Sequence, residues 1–359
     1  MNNGRIRITD IAKKAGVSTG TVDRVIHSRG SVSQKKMDAV QRALAELNYT
    51  PNIIARTLAQ NRLFKIGVLI PKSVDEPYWD SQAFGIARGL KEVEHYGVTT
   101  VPCQYDLNSP ESFIREGSKV VNSKVDGMII APIFRDEGIQ IIGQCEQMKI
   151  PYVLINTELP YSETGCYVGQ DSYRSGVVAA KLLDQLMNPD EIALLLNMET
   201  AGENAEHFVK KKNGFQNYFI ENPRKVLVKN LSDYKSMTGL NSVMSALFRQ
   251  YSQIGGIFVT SSRIYQVIDA LKGLEYKNIS AVGYDLIKPN IACLESGKVQ
   301  YLINQNPQLQ GYRAMRLIVD HIVLGKKMKQ TTFIPFDIVI KENLEYYLNS
   351  NNPFDDIAL

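Results

Sequence analysis

Long apolar runs, paired cysteines and catalytic motifs are all absent from this sequence. Its 359 residues contain no uninterrupted apolar run of about 18, so no membrane-spanning helix is predicted. The N-terminal stretch has basic residues with no apolar segment behind them, so it is not predicted to be a secretory signal. We therefore expect a protein of the cytoplasm.

The few cysteines and histidines form no recognisable site. The four cysteines are far apart and include no CxxC pair, which favours core residues over metal or redox chemistry. They are Cys103, Cys145, Cys166 and Cys293. The four histidines share no ligand spacing. Because GxGxxG, GxxxxGK(S/T), HExxH and GxSxG are also missing, we predict no enzyme activity, no cofactor and no metal.

Positive charge is present mainly at the N-terminus. Residues 1–65 contain 12 Lys and Arg against 4 Asp and Glu, a balance of +8 in a chain of net charge +4. The remaining 294 residues therefore carry a balance of −4. A basic segment is typical of a module that binds nucleic-acid phosphates, although basic faces are often merely solvated.

The same N-terminal segment has the pattern of three short helices joined by tight turns. Thr9 is a candidate N-cap for the first helix, Gly16 ends it, and Ser18 and Ser33 are placed to cap the second and third. Apolar residues recur at helical spacing on one side of each helix. A small helical bundle of no special function is the alternative, but the short Ala-Gly-Val-Ser turn and the basic excess favour a helix-turn-helix.

The run from Ile8 through Leu58 resembles the DNA-binding head and hinge of LacI/GalR-family transcriptional regulators. The shared segments are TDIAKKAGVSTGTVDRV, VSQKKMDAVQRALAELNYTPN and IIARTLA. The resemblance implies a head over residues 1–50 whose second helix lies in the major groove of DNA. The DNA-contact residues it implies are Thr9, Ser18, Thr19, Gly20, Thr21, Asp23, Arg24, Ser33, Asn52, Ala55 and Leu58, with Ser31, Lys35 and Lys36 as further phosphate contacts.

Three positions of the second helix decide what bases it can contact. Arg24 has the shape to hold guanine O6 and N7 in a bidentate pair. Gly20 has no side chain and cannot contact a base edge. Asp23 replaces the small hydroxyl residue usual in the family, and could accept from a cytosine amino group or orient Arg24.

The hinge, residues 51–63, follows the break that Pro51 makes in the third helix. Asn52 can cap a new helix of about two turns, which is marginal in water without a partner. The resemblance implies that two such helices, one from each subunit, pack in the minor groove. Leu58 is then the wedge that unstacks the central base step, with Ala55 against the groove floor. A plain linker is the alternative.

From Lys65 onward, short apolar runs alternate with helical stretches, which predicts an α/β protein with parallel sheets. The two series of βα units predict two doubly wound lobes. This body resembles the periplasmic sugar-binding-protein fold (periplasmic binding protein type I), whose chain crosses between lobes three times. The predicted boundaries are an effector domain 64–348 with an N-lobe of 64–188 and 303–328, a C-lobe of 190–300 and 331–348, crossings near 188–190, 285–303 and 326–332, and a tail 349–359.

The cleft between these lobes is the predicted ligand site, because ligands of such folds bind beyond the carboxyl ends of the strands. The resemblance assigns to it Tyr78, Trp79, Arg135, Asn156, Asp171, Lys211, Ser261, Asp285 and Gln305, with His207 and Lys210 also within reach. For Trp79 the alternative is core packing. For Asp171 it is the N-cap of the following helix.

Together these features predict a repressor-type transcriptional regulator that binds a near-palindromic operator as a homodimer. Amide, hydroxyl and carboxylate groups around aromatic rings suit a small carbohydrate effector. A sugar acid, a sugar phosphate, or a purine or other nucleobase are the alternative effectors. A sugar-binding protein without a DNA role, or an enzyme, ranks below these.

Overall fold

The computed structural model describes residues 6–26, 30–47, 62–73, 77–198, 205–231, 237–272 and 279–349. The chain divides into two compact units, residues 1–60 and residues 61–359. Within the described ranges, no helix has the length and apolar character needed to cross a membrane. The predictions for Asn52, Ala55 and Leu58 of the hinge lie outside the described residues, as does the tail from Ser350.

The first unit contains the helices α1 (Ile8–Ala15), α2 (Thr19–Ile26) and α3 (Gln34–Glu46). Their inward faces meet in a small core of Ile11, Ala12, Val22, Val40 and Ala43. A core of this size arises from the helical spacing of the apolar residues, as predicted. The polar faces are left exposed.

The ends of these helices differ from the prediction at two points. Ser33 occupies the N-cap position of α3 but makes no side-chain cap hydrogen bond. Gly16 ends α1 in the left-handed conformation with φ 64°, and the Oγ of Ser18 accepts from the Thr21 N–H at 3.2 Å. Thr9 was wrongly predicted to be the N-cap of α1. The helix begins at Ile8, two residues earlier than a Thr9 cap implies, and its N-cap is Arg7, whose N–H donates to the Asp10 carboxylate at 2.8 Å.

The second unit is built on strands that are mostly buried and parallel. The strands are β1 (Phe64–Pro71), β2 (Val98–Tyr105), β3 (Gly127–Ile130), β4 (Tyr152–Ile155), β5 (Gly165–Gly169), β6 (Ile192–Asn197), β7 (Val226–Asn230), β8 (Ile254–Val259), β9 (Ser280–Tyr284), β10 (Tyr301–Asn304), β11 (Thr331–Phe333) and β12 (Asp337–Val339). The first nine coincide with the predicted apolar runs. Strands buried on both faces have continuous apolar sequences, which is why they could be predicted.

Helices connect these strands and cover both faces of each sheet. They are α4 (Tyr78–Val93), α5 (Pro110–Asn122), α6 (Arg135–Gln147), α7 (Ser172–Asp184), α8 (Glu206–Glu221), α9 (Met237–Gln250), α10 (Ile264–Ala270), α11 (Lys288–Glu295), α12 (Pro307–Leu324) and α13 (Leu344–Asn349), with 3-10 turns at Glu94–Tyr96 and Lys341–Asn343. The first sheet has the order β11-β5-β4-β3-β1-β2 and the second β12-β10-β9-β8-β6-β7. Only β12 runs antiparallel to its neighbour among the pairs described. The predicted α/β class with two doubly wound lobes is confirmed.

The crossings between the lobes lie elsewhere than the sequence predicted. Ala179, Ala180 and Leu183 of α7 belong to the core of the second sheet, so the chain crosses before α7 and not at 188–190. Strand β10 also pairs in the second sheet, whereas α12 packs on the first, so the second crossing lies between Asn304 and Pro307. The third crossing lies between β11 and β12. The described lobes are therefore 62–170 with 307–333, and 171–304 with 337–349.

Two glycines bring α7 and α8 into close contact. A Cβ on Gly176 would lie 2.1 Å from the carbonyl oxygen of Lys211, and a Cβ on Gly214 would lie 2.0 Å from that of Tyr173. Only glycine allows the two backbones to approach this closely. The contact fixes the part of α8 that carries Lys211.

Replacing Gly176 by alanine should force α7 and α8 apart. We expect a loss of about 1–3 kcal/mol in the free energy of unfolding, as is usual when a packed contact is overfilled. Gly143→Ala on α6 is the matched control, because a Cβ there meets nothing within 4 Å. The control should be neutral or stabilising by up to about 1 kcal/mol. Equal losses in both variants, measured by chemical denaturation, would contradict the close contact.

Candidate functional site

Polar side chains gather where neighbouring strands of the two lobes end. Asn156 follows β4, Ser261 lies just beyond β8, Asp285 follows β9 and Gln305 follows β10. Asn156 and Asp285 have φ angles of 65° and 67°, in the left-handed region that residues other than glycine seldom adopt. Such local strain is retained where a side chain must be aimed at a site.

Asp285 is the most constrained of these groups. It is 2% exposed, and its carboxylate accepts from the Ser262 hydroxyl at 2.9 Å and from the Gln305 Nε2 at 2.8 and 3.1 Å. Burial raises the pKa of this carboxyl from 3.8 to about 6, and the charge of Lys211 and these hydrogen bonds oppose the rise. A carboxylate held this way can accept hydrogen bonds from a ligand.

Lys211 places a cation beside this carboxylate. Its side chain is 2% exposed, its Nζ donates to the Thr260 carbonyl at 2.8 Å, and it lies 4.0 Å from the centroid of the Tyr284 ring. The ring face and the carbonyl stabilise the ammonium in place of water. Asp285 and Lys211 are therefore buried groups of opposite charge, close enough for the charge of Lys211 to lower the pKa of Asp285.

The two aromatic residues begin α4, and the structure separates their roles. The Tyr78 hydroxyl donates to the Asn156 Oδ1 at 2.8 Å, which ties the helix to the end of β4. Trp79 meets Tyr78 edge-on with ring centroids 5.0 Å apart and belongs to the core of the first lobe. Core packing therefore accounts for most of the Trp79 ring. Its Nε1 is nevertheless buried without a partner among the described residues.

Two predicted ligand residues do not join the Asp285 cluster. Asp171 is the N-cap of α7, where its Oδ1 accepts from the Arg174 N–H at 2.9 Å. The capping alternative thus explains Asp171. Arg135 opens α6, is half exposed, and pairs with Glu206 at 3.4 Å and Asp136 at 3.5 Å. Its charge is engaged at the edge of the lobe.

Several residues that organise the site are not marked by any motif in the sequence. Asn290 Nδ2 donates to the carbonyls of Ser262 and Tyr284, both at 2.8 Å, and so joins the ends of β8 and β9. Gln310 Nε2 donates to the Gln305 carbonyl at 2.8 Å, while its Oε1 accepts from the Asn156 N–H at 3.2 Å. These are amides on helices, with no motif of their own in a single sequence.

The first turns of α8 also hold the two lobes together. His207 Nδ1 and the Thr157 hydroxyl are 2.9 Å apart, and Lys210 pairs with Glu158 at 2.6 Å. Glu206 is the partner of Arg135 in the same region. His207 and Lys210, which were predicted to be within reach of a ligand, therefore lie at the lobe interface and contact Thr157 and Glu158.

Four buried polar atoms have no partner among the described residues. They are Trp79 Nε1, Gln82 Oε1, Gln170 Oε1 and Ser261 Oγ. A buried donor or acceptor left unpaired costs about 1–3 kcal/mol. Gln170 contacts Gln305, and Ser261 is next in sequence to Ser262, which donates to Asp285. Two of the four unpaired atoms therefore belong to residues at the Asp285 cluster. Such a concentration favours a polar ligand that supplies the missing partners.

The second and third crossings between the lobes lie beside a groove in the described part of the structure. A groove of about 1010 Å³ runs along them and is lined by Asn306 and Pro335 of the crossings, together with Tyr78 and Asp285 of the cluster. Empty space beside a crossing leaves it room to bend. A change of angle between the lobes is thus compatible with their packing.

On the head, the face of α2 that was predicted to contact DNA is mostly exposed. Ser18, Thr19, Gly20 and Arg24 are exposed, as is Ser33 before α3. Thr21 and Asp23 are half-buried. A Cβ at Gly20 would have only the Ser18 Oγ within reach, at 4.0 Å. The position is therefore open and does not need glycine for folding.

The cysteines are core residues, as predicted. All four are buried, and burial raises the pKa of the Cys145 and Cys166 thiols to about 12. A thiol with such a pKa is a poor nucleophile at neutral pH. In the part of the chain that the structure describes, no three His, Cys, Asp or Glu residues are grouped to hold a metal ion.

Comparison with known proteins agrees with this division of the chain. Residues 66–327 match the family described as periplasmic binding protein domain, and residues 7–52 match the family described as bacterial regulatory proteins, lacI family. The chain therefore belongs to the family of periplasmic binding protein domains over most of its length, and its N-terminal unit carries a helix-turn-helix head of the lacI type.

Two named relatives illustrate the match. The HTH-type transcriptional regulator DegA of Bacillus subtilis strain 168 is 30% identical over 197 residues, 55% of this chain and 57% of that protein. The ribose operon repressor of Halalkalibacterium halodurans is 34% identical over 151 residues, 42% of each chain. The chain thus spans about half the length of the curated relatives it matches. These relatives are transcriptional regulators, a class that is not enzymatic.

Solved structures share the fold of the second unit. A glucose-galactose binding protein, GanP of Geobacillus stearothermophilus, has a TM-score of 0.70 at 20% identity, covering 79% of this chain and 99% of that one. A periplasmic solute binding protein of Actinobacillus succinogenes with bound D-allose has a TM-score of 0.68 at 20% identity, covering 79% of this chain and 100% of that one. At this identity the likeness is one of fold.

The Asp285 carboxyl should make stability depend on pH. Because its folded pKa of about 6 lies above the ordinary 3.8, the folded protein holds this proton more tightly than the unfolded chain does. The contribution of this group to stability is therefore present at low pH and is lost as the pH rises through about 6. Asn does not titrate, so Asp285→Asn removes this part of the pH dependence.

We expect the free energy of unfolding of the natural protein, relative to Asp285→Asn, to fall by about 2–3 kcal/mol between about pH 4 and pH 7. Taking the difference between the two proteins cancels titrations that they share. Chemical denaturation across this range measures it. A difference that is constant with pH, or that rises, would contradict the raised pKa.

Proposed function

We propose that this protein is a DNA-binding transcriptional regulator, acting as a repressor, whose affinity for its operator is controlled by a small carbohydrate bound between the lobes. The observation that carries the proposal is the combination in one chain of an exposed basic helix-turn-helix with a buried polar cluster at the strand ends. Family membership supports both halves. Such a protein would act in the cytoplasm, where bacterial DNA lies.

In the head, α2 enters the major groove. Arg24 is exposed on this helix and has the fork that pairs with guanine, whereas Thr19 can offer a hydroxyl or a methyl group. Ser18 and Ser33 are exposed at the starts of α2 and α3, where a hydroxyl can reach a phosphate. One head covers only a half-site, so we propose that a homodimer binds a near-palindromic operator.

The effector we propose is a neutral polyol. Asp285 can accept hydroxyl protons, and Gln305 and Ser261 add amide and hydroxyl groups beside it. A site of buried polar groups rejects ligands that leave those groups unpaired. The structural neighbours named above are a glucose-galactose binding protein and a protein with bound D-allose, which agrees with a sugar-sized site.

The cations near the cleft argue against an acidic or phosphorylated effector. Arg135 already pairs with Glu206, and Lys210 pairs with Glu158. Lys211 donates to the Thr260 carbonyl and faces the charge of Asp285. An anionic ligand would have to compete with these internal partners and would leave their carboxylates unpaired.

Control of the operator follows from the position of the cluster between lobes. A ligand that binds one arrangement of the lobes better than the other shifts the population toward it. We propose that this shift changes the spacing of the hinge segments, residues 51–63, and thereby of the two heads. Coupling is reciprocal, so the operator must change effector affinity by the same factor.

Removal of the Arg24 side chain tests the DNA half of the proposal. In vitro selection of DNA sites by the natural protein should yield a palindrome, and Arg24→Ala should lose about 1–3 kcal/mol of binding per half-site together with preference at one base pair. Arg42→Ala is the control, since Arg42 is also an exposed arginine but lies on α3, where its Nε donates to the Asp38 carbonyl at 3.4 Å. An unchanged preference in Arg24→Ala would contradict its base contact.

A thermal-shift panel tests the effector half. We expect at least one neutral sugar, from a set including D-allose, D-glucose, D-galactose and myo-inositol, to raise Tm, because ligand at 100 times its Kd adds about 2.7 kcal/mol. The corresponding uronates, sugar phosphates and nucleobases should have smaller effects. A larger shift with any of these three classes would overturn the neutral-polyol assignment.

A further inference from the structure

Gln170 lies at the first crossing between the lobes and was not predicted to have a role. It follows β5 directly, is 3% exposed, and its Nε2 donates to the Oε1 of Gln305 on the second crossing. Its own Oε1 is buried and has no partner among the described residues. One end of this amide is thus fully engaged and the other is unpaired.

The orientation of the Gln170 amide is set by Asp285 through the intervening side chain of Gln305. An ionised carboxylate only accepts hydrogen bonds, so Gln305 must turn its Nε2 toward Asp285, at 2.8 and 3.1 Å. The Oε1 of Gln305 then faces Gln170, so the Gln170 Nε2 must donate a hydrogen bond to it. The side-chain carbonyl of Gln170 therefore points away from Gln305 and is the last group in this series of hydrogen bonds.

This series of hydrogen bonds determines which end of each glutamine amide is oxygen and which is nitrogen. The oxygen and nitrogen of an isolated amide are assigned from their hydrogen-bond partners, and either orientation fits when those partners are neutral. Here reversal of Gln170 would place two carbonyl oxygens together unless Gln305 also reversed. Reversal of Gln305 would in turn place its oxygen against the Asp285 carboxylate. The negative charge of Asp285 therefore fixes the orientation of both the Gln305 and the Gln170 amides.

We propose that Gln170 is a specificity-determining residue whose carbonyl accepts a hydrogen bond from one hydroxyl of the effector, in an orientation imposed by Asp285 through Gln305. The proposal rests on the proposed polyol effector. Because Gln170 is buried at a crossing between the lobes and is bonded to Gln305, its unpaired acceptor can contact a ligand enclosed by the lobes. It selects a ligand with a donor at that position over the deoxy or O-methyl analogue.

The test combines one substitution with a series of analogues. The neutral sugar of the panel above that binds most tightly is measured by titration calorimetry with the full-length protein, followed by its deoxy and O-methyl derivatives at each position. Gln170→Met keeps the length of the side chain and removes both polar atoms. We expect one hydroxyl whose removal weakens binding by roughly 10- to 100-fold in the natural protein and has almost no effect in Gln170→Met.

Gln82→Met is the matched control. Gln82 is also a fully buried glutamine with an unpaired Oε1, but its Nε2 donates to Tyr78 and Gln310, and none of its described hydrogen bonds is to Gln170, Gln305 or Asp285. In this control the dependence on each hydroxyl should remain. If every hydroxyl has the same effect in Gln170→Met as in the natural protein, or if Gln82→Met removes the same dependence, the proposal is overturned. Gln170→Ala replaces Gln170→Met if the latter does not fold.

A second measurement keeps this proposal distinct from the proposed function. Failure of every sugar in the panel to bind would reject the polyol effector, and the orientation of Gln170 can still be observed without ligand. The side-chain NH₂ signal of Gln170, assigned by its loss in Gln170→Met, is compared in the natural protein and Asp285→Asn by NMR. A shifted or doubled signal is expected, because Asn allows Gln305 to adopt both orientations. An unchanged signal would overturn control by Asp285.

Discussion

The buried carboxylate of Asp285 is the group on which the arrangement of the cleft depends. It lies where β9 ends, in a left-handed conformation, and it determines which atoms of Ser262 and Gln305 can face it. Its burial is unfavourable for the charged form, and Lys211 and the surrounding donors offset only part of that cost. Proteins retain such groups where a ligand or a change of state uses them.

Packing between helices and strands holds Lys211 and the hydrogen-bond donors close to the buried Asp285 carboxylate. Gly176 and Gly214 allow α7 and α8 to touch, and this contact fixes Lys211 beside Tyr284 and Asp285. Asn290 joins the ends of β8 and β9 by donating to backbone carbonyls. The groups of the site therefore depend on backbone contacts between elements that are far apart in sequence.

Much of the fold was predictable because its signals are local. The apolar runs of β1 to β9 and the Gly16 turn of the head can be recognised in a few residues each. The crossings were misplaced because Asn188-Pro189 is a strong turn signal, whereas the actual crossing before α7 has no such mark. The strands β10 to β12 are short and partly exposed, so their sequences lack the continuous apolar pattern.

The candidate site was predictable only in part, for a different reason. Asp285, Lys211, Ser261 and Gln305 were identified by family motifs, and the structure brings them together. Asp171 and Arg135 matched motifs equally well, yet one caps α7 and the other pairs with Glu206. Gln170 was not predicted, because no sequence motif indicates how its side-chain amide is oriented. That orientation depends on a carboxylate more than a hundred positions away in the chain, which local sequence does not reveal.

We propose that ligand binding in the cleft and DNA binding by the helix-turn-helix are coupled. Fluorescence anisotropy with a DNA site obtained by selection, measured without and with the neutral sugar that binds most tightly, tests this directly. The account predicts that saturating sugar changes DNA affinity, and that saturating DNA changes sugar affinity by the same factor. DNA affinity that is identical with and without bound sugar would contradict it.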